Sequence, residues 1–211
     1  MADNASRIDY IIEKHTITEQ SETPRLAQQW QQVVATCQEQ QADSLSRLKA
    51  AFATVDYLTS FELPFRLMLI RAPQLIDHLR EDRKVYSQPV EINGRKRGVV
   101  YSRHADFTGV PKSFQYHRTC KLSRSGAAGG TTASYTAITK QTDVPRERLR
   151  LALTSGLLVT ALDALLFFGI QRVAADVQRL RAQGMSILML HVTAFDSQTQ
   201  TVREIPAYCC A

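Results

Sequence analysis

Cysteine is scarce in this sequence of 211 residues: four are present, and no two of them form a C-x-x-C pair. A disulfide-stapled scaffold and a four-cysteine zinc module are therefore not expected. The sequence also lacks an H-E-x-x-H helix, a nucleophile elbow and a phosphate-binding P-loop. We accordingly predict no cofactor and no metal site, and the residues favour a non-enzymatic role.

The first 22 residues contain no apolar h-region, so a secretory signal is not expected. This polar segment, residues 1–22, is predicted to be weakly ordered. The whole chain, with 44% hydrophobic and 22% charged residues, has the composition of a globular protein. Its few cysteines fit the reducing conditions of a bacterial cytoplasm, which is the predicted location.

Acidic residues are nearly absent from residues 94–124, which contain one acid, Asp106, against eight bases and so carry a charge of +7. The whole chain carries +6, so the remaining residues sum to −1. Cations pair with phosphates and aromatic faces stack on unpaired bases, and four aromatic residues lie among these cations. We predict binding to nucleic acid or another polyanion; the alternative is a solvated sheet face. The eight bases are Arg95, Lys96, Arg97, Arg103, Lys112, Arg118, Lys121 and Arg124.

Residues 23–84 are predicted to be a helical region. Thr23-Pro24 is a typical helix start, and apolar residues then recur every three or four positions up to about Tyr57. Seven glutamines between residues 28 and 41 favour a solvated face on this 24–57 helix, and the seam of a homodimer is the alternative. Pro73 divides the following segment, 63–84, into two short helices.

A β-hairpin is predicted from the dipeptide Asn93-Gly94, which separates two extended runs, 85–92 and 95–104. A type I′ turn needs a positive φ at both central residues, and Asn-Gly adopts it readily. The turn places three cations just past its tip. A third strand is predicted over 113–122.

Residues 135–153 are predicted to form a helix, a tight turn and a second helix that begins near Pro145. In a helix-turn-helix, cations at the start of the second helix lie close to bases or phosphates. Three arginines occupy that start here: Arg146, Arg148 and Arg150. The alternative is a helix that begins at this point without any contact to nucleic acid.

The most apolar stretch, 151–170, carries one charge, Asp163. It is interpreted as a buried core helix continuing to about residue 183, with an oligomer interface or a membrane segment as alternatives. A buried carboxylate needs a partner, so we expect an arginine or a backbone donor beside Asp163. Two C-terminal strands, 185–195 and 200–205, are expected to join the first hairpin in one antiparallel sheet.

These patterns predict an α+β fold, because helices, a hairpin, further helices and a second hairpin follow one another without βαβ alternation. Residues 85–211 would form an α+β core with the basic hairpin, or 23–211 a single domain. The leading hypothesis is a nucleic-acid-binding accessory or regulatory protein. Its first alternative is an enzyme or secreted effector acting on a phosphorylated or nucleotide substrate, with His104 and His117 as catalytic candidates. The second alternative is a protein-interaction factor built on the 24–57 helix.

Overall fold

The chain has the predicted α+β architecture. A computed structural model describes residues 7–20, 22–126 and 129–211, apart from the side chain of Arg97. The chain divides into two compact units. We call Met1–Glu13 with Lys121–Ala211 the terminal unit, and Lys14–Cys120 the central unit.

Helices and strands alternate irregularly along the described residues. In chain order they are β1 (Ile8–Glu19), α1 (Pro24–Glu39), α2 (Ser44–Thr54), β2 (Leu58–Thr59), α3 (Glu62–Arg66), α4 (Ala72–Asp82), β3 (Tyr86–Ile92), β4 (Arg95–Ser102), β5 (Ser113–Phe114), β6 (Tyr116–Gly126), α5 (Thr132–Thr139), α6 (Pro145–Thr154), β7 (Val159–Thr160), α7 (Ala161–Leu166), α8 (Val173–Ala182), β8 (Ile187–Asp196) and β9 (Thr201–Cys210).

The predicted helix start at Thr23 is confirmed. The Thr23 hydroxyl accepts a hydrogen bond from the amide of Leu26 at 3.2 Å, and Pro24 occupies the first turn, where its missing N–H is not needed. The apolar stripe of α1 is buried in the core of the central unit together with residues of α2. This stripe is therefore not available as the seam of a homodimer.

The predicted β-hairpin is also confirmed. Strands β3 and β4 pair in antiparallel register, and Ile92 faces Arg95 across the turn. Asn93 and Gly94 have φ angles of 48° and 71°, the left-handed conformations that a type I′ turn requires. Local backbone preference alone determines this turn, which explains why the sequence predicts it so well.

The prediction of a weakly ordered N-terminal segment is wrong for most of its length. Strand β1 occupies Ile8–Glu19, and Ile8 pairs in parallel with Ala194 of β8. Its partner lies far away in the sequence, so no local pattern indicates the pairing. Residues 1–6 and Ser21 lie outside the described part of the chain.

The apolar stretch 151–170 is divided among several elements instead of forming one long helix. Helix α6 ends at Thr154, Gly156 adopts a φ of 77°, and β7 and α7 follow. The stretch is apolar on all sides because each short piece is buried by different neighbours. In the part of the chain that the structure describes, every helix is too short or too polar to cross a membrane.

The two hairpins lie in different sheets, which corrects the expectation of a single one. The C-terminal hairpin belongs to a five-stranded sheet in the order β6-β1-β8-β9-β7. The first hairpin belongs to a four-stranded sheet in the order β2-β4-β3-β5. Strand β1 completes the C-terminal sheet instead, because its parallel register with β8 buries Ile8 and Tyr10.

Candidate nucleic-acid interface

The cations of residues 94–124 do not converge on one surface. Arg95, Lys96 and Lys112 are exposed near the tip of the first hairpin. Lys112 is held there because its carbonyl accepts a hydrogen bond from the amide of Glu91 at 2.9 Å. We call these three cations the tip cations. The side chain of Arg97, predicted to belong with them, lies outside what the structure describes.

Arg103 and His104 lie at the opposite end of the same hairpin. The guanidinium of Arg103 donates to the carbonyl of Ala53 and, at 3.0 Å, to Nε2 of His104. His117 instead follows Tyr116, whose amide donates to the turn residue Asn93 at 2.8 Å. Strand β4 is eight residues long, so its two ends lie about 23 Å apart at the rise of an extended strand.

This separation corrects the predicted catalytic pair. Proton transfer and metal ligation require side chains within contact distance, but His104 follows the end of β4 whereas His117 lies in β6, next to the turn at the other end of the hairpin. Arg118 also fails to join His117, because neighbouring residues of a strand point to opposite faces. Arg103, His104, His117 and Arg118 therefore do not line one common pocket.

Arg118 points into the central unit instead of outward. Its guanidinium lies 4.4 Å from the centre of the Phe65 ring, and burial lowers its pKa. Its Nη1 atom is buried and has no hydrogen-bond partner among the described residues. Arg118 is thus half-buried, with its guanidinium against Phe65, and it does not belong to the exposed tip cations.

Arg124 is the clearest correction among the predicted binding residues, because its side chain is completely buried in the terminal unit. Its Nε donates to Oδ1 of Asp163 at 2.9 Å, and its guanidinium lies over the ring of Tyr135. The expectation that Asp163 has an arginine partner is confirmed. The amide and hydroxyl of Thr160 also donate to Asp163, at 3.0 and 2.9 Å.

Burial raises the pKa of the Asp163 carboxyl, while Arg124 and the hydrogen bonds from Thr160 act in the opposite direction. Asp163 also caps helix α7 through a reciprocal capping box with Thr160. One carboxylate therefore serves both the helix start and the buried ion pair. Lys121, in contrast, is exposed and pairs with Glu13 at 2.5 Å.

The predicted helix, turn and helix over 135–153 are present as α5 and α6, joined by residues 140–144. Two of the three arginines are held by their own neighbours. Arg148 donates to the carbonyl of Thr142 at 2.7 Å and to Asp143 at 3.2 Å, and Arg150 donates to Glu147. Arg148 is only 18% exposed as a result, whereas Arg150 remains 43% exposed beside Glu147.

Arg146 makes a different contact, which leads to helix α8. Its Nε donates to Asp176 of α8 at 2.9 Å, and Asp176 also accepts from Arg179 at 3.4 Å. The side chain of Asp176 is 18% exposed, whereas that of Arg179 is 61% exposed. The carboxylate thus lies behind two guanidiniums that face solvent.

None of the predicted site residues lies in α8, an amphipathic helix of the terminal unit. Its inner stripe, Val173, Val177 and Leu180, is buried. The opposite side is exposed and carries small residues near its start, followed by polar residues and cations. The exposed residues of the helix are Ala174, Ala175, Gln178 and Arg179, and Arg172 is exposed just before it. We call these five residues, together with Arg146, the α8 surface.

The preceding helix, α7, is buried at every position from Ala161 to Leu166. A turn of six residues, 167–172, connects it to α8. Gly169 in this turn has a φ of 72°, a conformation that favours glycine, and the amide of Ile170 donates to Ala164 at 2.7 Å. The capping pair Thr160 and Asp163, followed by Gly169, are the sequence features that could have revealed this helix pair.

Two exposed groups of cations therefore remain, the tip cations in the central unit and the α8 surface in the terminal unit. Within residues 7–20, 22–126 and 129–211, no group of His, Cys, Asp and Glu side chains is arranged to hold a metal ion. No protein-family model, curated protein or solved structure matches this chain.

Proposed function

We propose that the protein binds nucleic acid and that the α8 surface enters the major groove of duplex DNA. The observation that carries the proposal is the pair α7 and α8. A fully buried helix, a turn containing a left-handed glycine and an amphipathic second helix are the parts of a helix-turn-helix. The order of α6, β7, α7, α8 and the β8–β9 hairpin also corresponds to a winged helix-turn-helix.

The residues of the α8 surface suit this role. Recognition helices contact base edges with their N-terminal residues, and there the small side chains of Ala174 and Ala175 permit a close approach to the groove. An alanine methyl can contact the thymine methyl, and the amide of Gln178 can pair with adenine. Arg172 and Arg179 supply cations for phosphates on either side of the helix.

In this arrangement α8 is the recognition helix, in place of α6, which the sequence suggested. Arg146 of α6 still contacts a phosphate. The tip cations Arg95, Lys96 and Lys112 are proposed as an additional contact for the backbone of nucleic acid. An accessory or regulatory protein of the bacterial cytoplasm, where DNA is accessible, is the role that we infer for the chain.

Removing both outer arginines of the α8 surface, as Arg172→Ala/Arg179→Ala, is expected to weaken duplex binding at least tenfold. Each arginine lost from a phosphate or base contact costs roughly 1–3 kcal/mol. The dependence of log K on log salt concentration should become shallower by about 2, since each lost phosphate contact releases one counterion fewer. Fluorescence anisotropy with labelled duplex, single-stranded DNA and RNA at two salt concentrations measures both quantities.

Arg80→Ala is the matched control for the Arg179→Ala substitution in this double variant. Both arginines are exposed on a helix and pair with an aspartate three residues earlier, Asp77 and Asp176 respectively, but Arg80 belongs to α4 of the central unit. The control should leave duplex affinity unchanged. Two results would contradict the proposal. One is the absence of micromolar duplex binding by the unmodified protein at low salt, and the other is an equal loss of duplex affinity in Arg172→Ala/Arg179→Ala and in Arg80→Ala.

A further inference from the structure

The central unit contains a pocket of about 430 Å³ beside the tip of the first hairpin. Two backbone segments and the turn form its walls, and the lining residues that matter for its chemistry are Glu19, Gln20, Asn93, Gln115, Tyr116 and His117. The volume lies in the range of small-molecule sites. None of the residues of the α8 surface contributes to it.

Hydrogen bonds to the turn residue hold the pocket walls in place. Asn93 accepts from the amide of Tyr116 at 2.8 Å, and its side-chain amide donates to the carbonyl of the same residue at 3.4 Å. The amide of Gln20 donates to the carbonyl of Gln115 at 3.3 Å, which joins the two segments. The pocket is thus a built feature of this end of the hairpin.

The lining offers both donors and acceptors. Glu19 is 5% exposed and Tyr116 is 7% exposed, so these two residues form the interior part of the wall, and the phenol of Tyr116 is directed to Thr59 in the core. Gln20, Gln115 and His117 are exposed at the rim. Glutamine amides both donate and accept hydrogen bonds along a base edge.

Exposed cations lie close to the pocket residues along the chain. Arg95 is two residues beyond Asn93, and Lys112 is three residues before Gln115. Lys96 follows Arg95, and all three tip cations are exposed. A ligand whose neutral polar part occupies the pocket would therefore place an attached anionic group among the tip cations.

We propose that this pocket binds a nucleoside phosphate, with the base at the side chains of Gln20, Gln115 and His117 and the phosphate at the tip cations. The ligand is either a free nucleotide or an unpaired nucleotide within a strand, since both present the same chemistry. The assignment does not depend on the α8 surface, because it uses residues of the central unit alone.

Titration of the full chain with nucleoside monophosphates, followed by amide chemical shifts in NMR, tests the assignment. The amides of Gln20, Asn93 and Gln115 should shift with a saturable dependence on nucleotide. The matching nucleosides and inorganic phosphate should each bind at least fivefold more weakly than the nucleotide. Short single-stranded oligonucleotides form a second arm: tighter binding than the mononucleotide identifies a strand as the source, and equal binding identifies the free nucleotide.

Substitutions at the rim separate a site from a general charge effect. Gln115→Ala and His117→Ala should each weaken nucleotide binding at least fivefold, because both side chains are exposed and can be removed without disturbing the core. His78→Ala, at an exposed histidine of α4, is the matched control and should leave binding unchanged. Arg172→Ala/Arg179→Ala should also leave it unchanged, whatever its effect on duplex DNA.

The proposal is overturned if the amide chemical shifts of Gln20, Asn93 and Gln115 do not change at millimolar nucleotide. It is also overturned if inorganic phosphate binds as tightly as the nucleotide, or if the affinity for the nucleotide is unchanged in both Gln115→Ala and His117→Ala. Shifts caused only by an added peptide would assign the pocket to a protein partner instead. The anisotropy measurements on duplex DNA are independent of all these results, so failure of one proposal is distinguishable from failure of the other.

Discussion

Replacing Asp163 by asparagine is expected to lower the free energy of unfolding by about 3–5 kcal/mol, because it leaves the guanidinium of Arg124 charged and unpaired in the interior. Both side chains of the pair are completely buried. The substitution preserves the shape of the side chain, so the loss reports the missing charge. It also weakens the capping box with Thr160, which adds to the same effect.

Urea unfolding followed by far-UV circular dichroism measures this difference. Asp77→Asn is the matched control, since Asp77 forms an exposed ion pair with Arg80 and should contribute less than about 1 kcal/mol. The double variant Arg124→Met/Asp163→Leu should recover a large part of the loss, because no charge then remains buried. A change below about 1 kcal/mol in Asp163→Asn would contradict the importance of the buried pair.

Lowering the pH from 6.5 to 4 is expected to destabilise the central unit by about 3 kcal/mol through His15 alone. Burial, followed by the nearby charges of Arg118 and Arg66, lowers the pKa of His15 from 6.5 to about 4. Neither ring nitrogen has a hydrogen-bond partner among the described residues. Protonation therefore adds a third positive charge without any compensating contact.

The folded and the unfolded chain bind the proton of His15 at different pH values, and this difference makes the free energy of unfolding fall as the pH falls. Above pH 6.5 the imidazole is neutral in both the folded and the unfolded chain, so His15 adds no pH dependence. Between pH 6.5 and 4 the unfolded chain binds the proton and the folded chain does not, so the free energy of unfolding falls. Below about pH 4 both states are protonated, and the contribution becomes constant.

Comparison with His15→Phe isolates this contribution, because other groups titrate in the same range. Burial raises the pKa of Glu62, for example, which has the opposite effect on stability as the pH falls. Trp30, the single tryptophan, is buried in the central unit, so its fluorescence during urea unfolding reports on this unit. The pH dependence should be shallower in His15→Phe and unchanged in His78→Phe, where the histidine is exposed. Equal slopes in all three proteins would refute the prediction.

Those elements of the fold whose cause is local are predictable from the sequence. Asn93-Gly94 prefers positive φ angles in any context, and Thr23 satisfies the first amides of α1 without help from distant residues. Strand β1 is the opposite case. Its isoleucines, threonines and tyrosine suit a strand, but only the pairing with β8, far away along the chain, decides which sheet it joins.

The candidate sites follow the same division. Counting charges along residues 94–124 correctly identifies cations that are exposed at the hairpin tip, such as Lys96. It cannot show that Arg118 and Arg124 point inward, because the alternation of β6 sends them to the face opposite that of Lys121. The charge count does not single out Arg172 and Arg179, because the sequence predicts that both belong to the continuation of a buried apolar helix to about residue 183.

The sequence by itself determined the α+β class, the first hairpin, the start of α1 and the need of Asp163 for a partner. All of these depend on local backbone preference or on the cost of burying a charge, and both are properties of single residues and their neighbours. Only the tertiary structure decided which arginine meets Asp163 and which cations reach solvent. Those outcomes depend on the register of strands far apart in the chain, where a shift of one residue exchanges the inner face for the outer one.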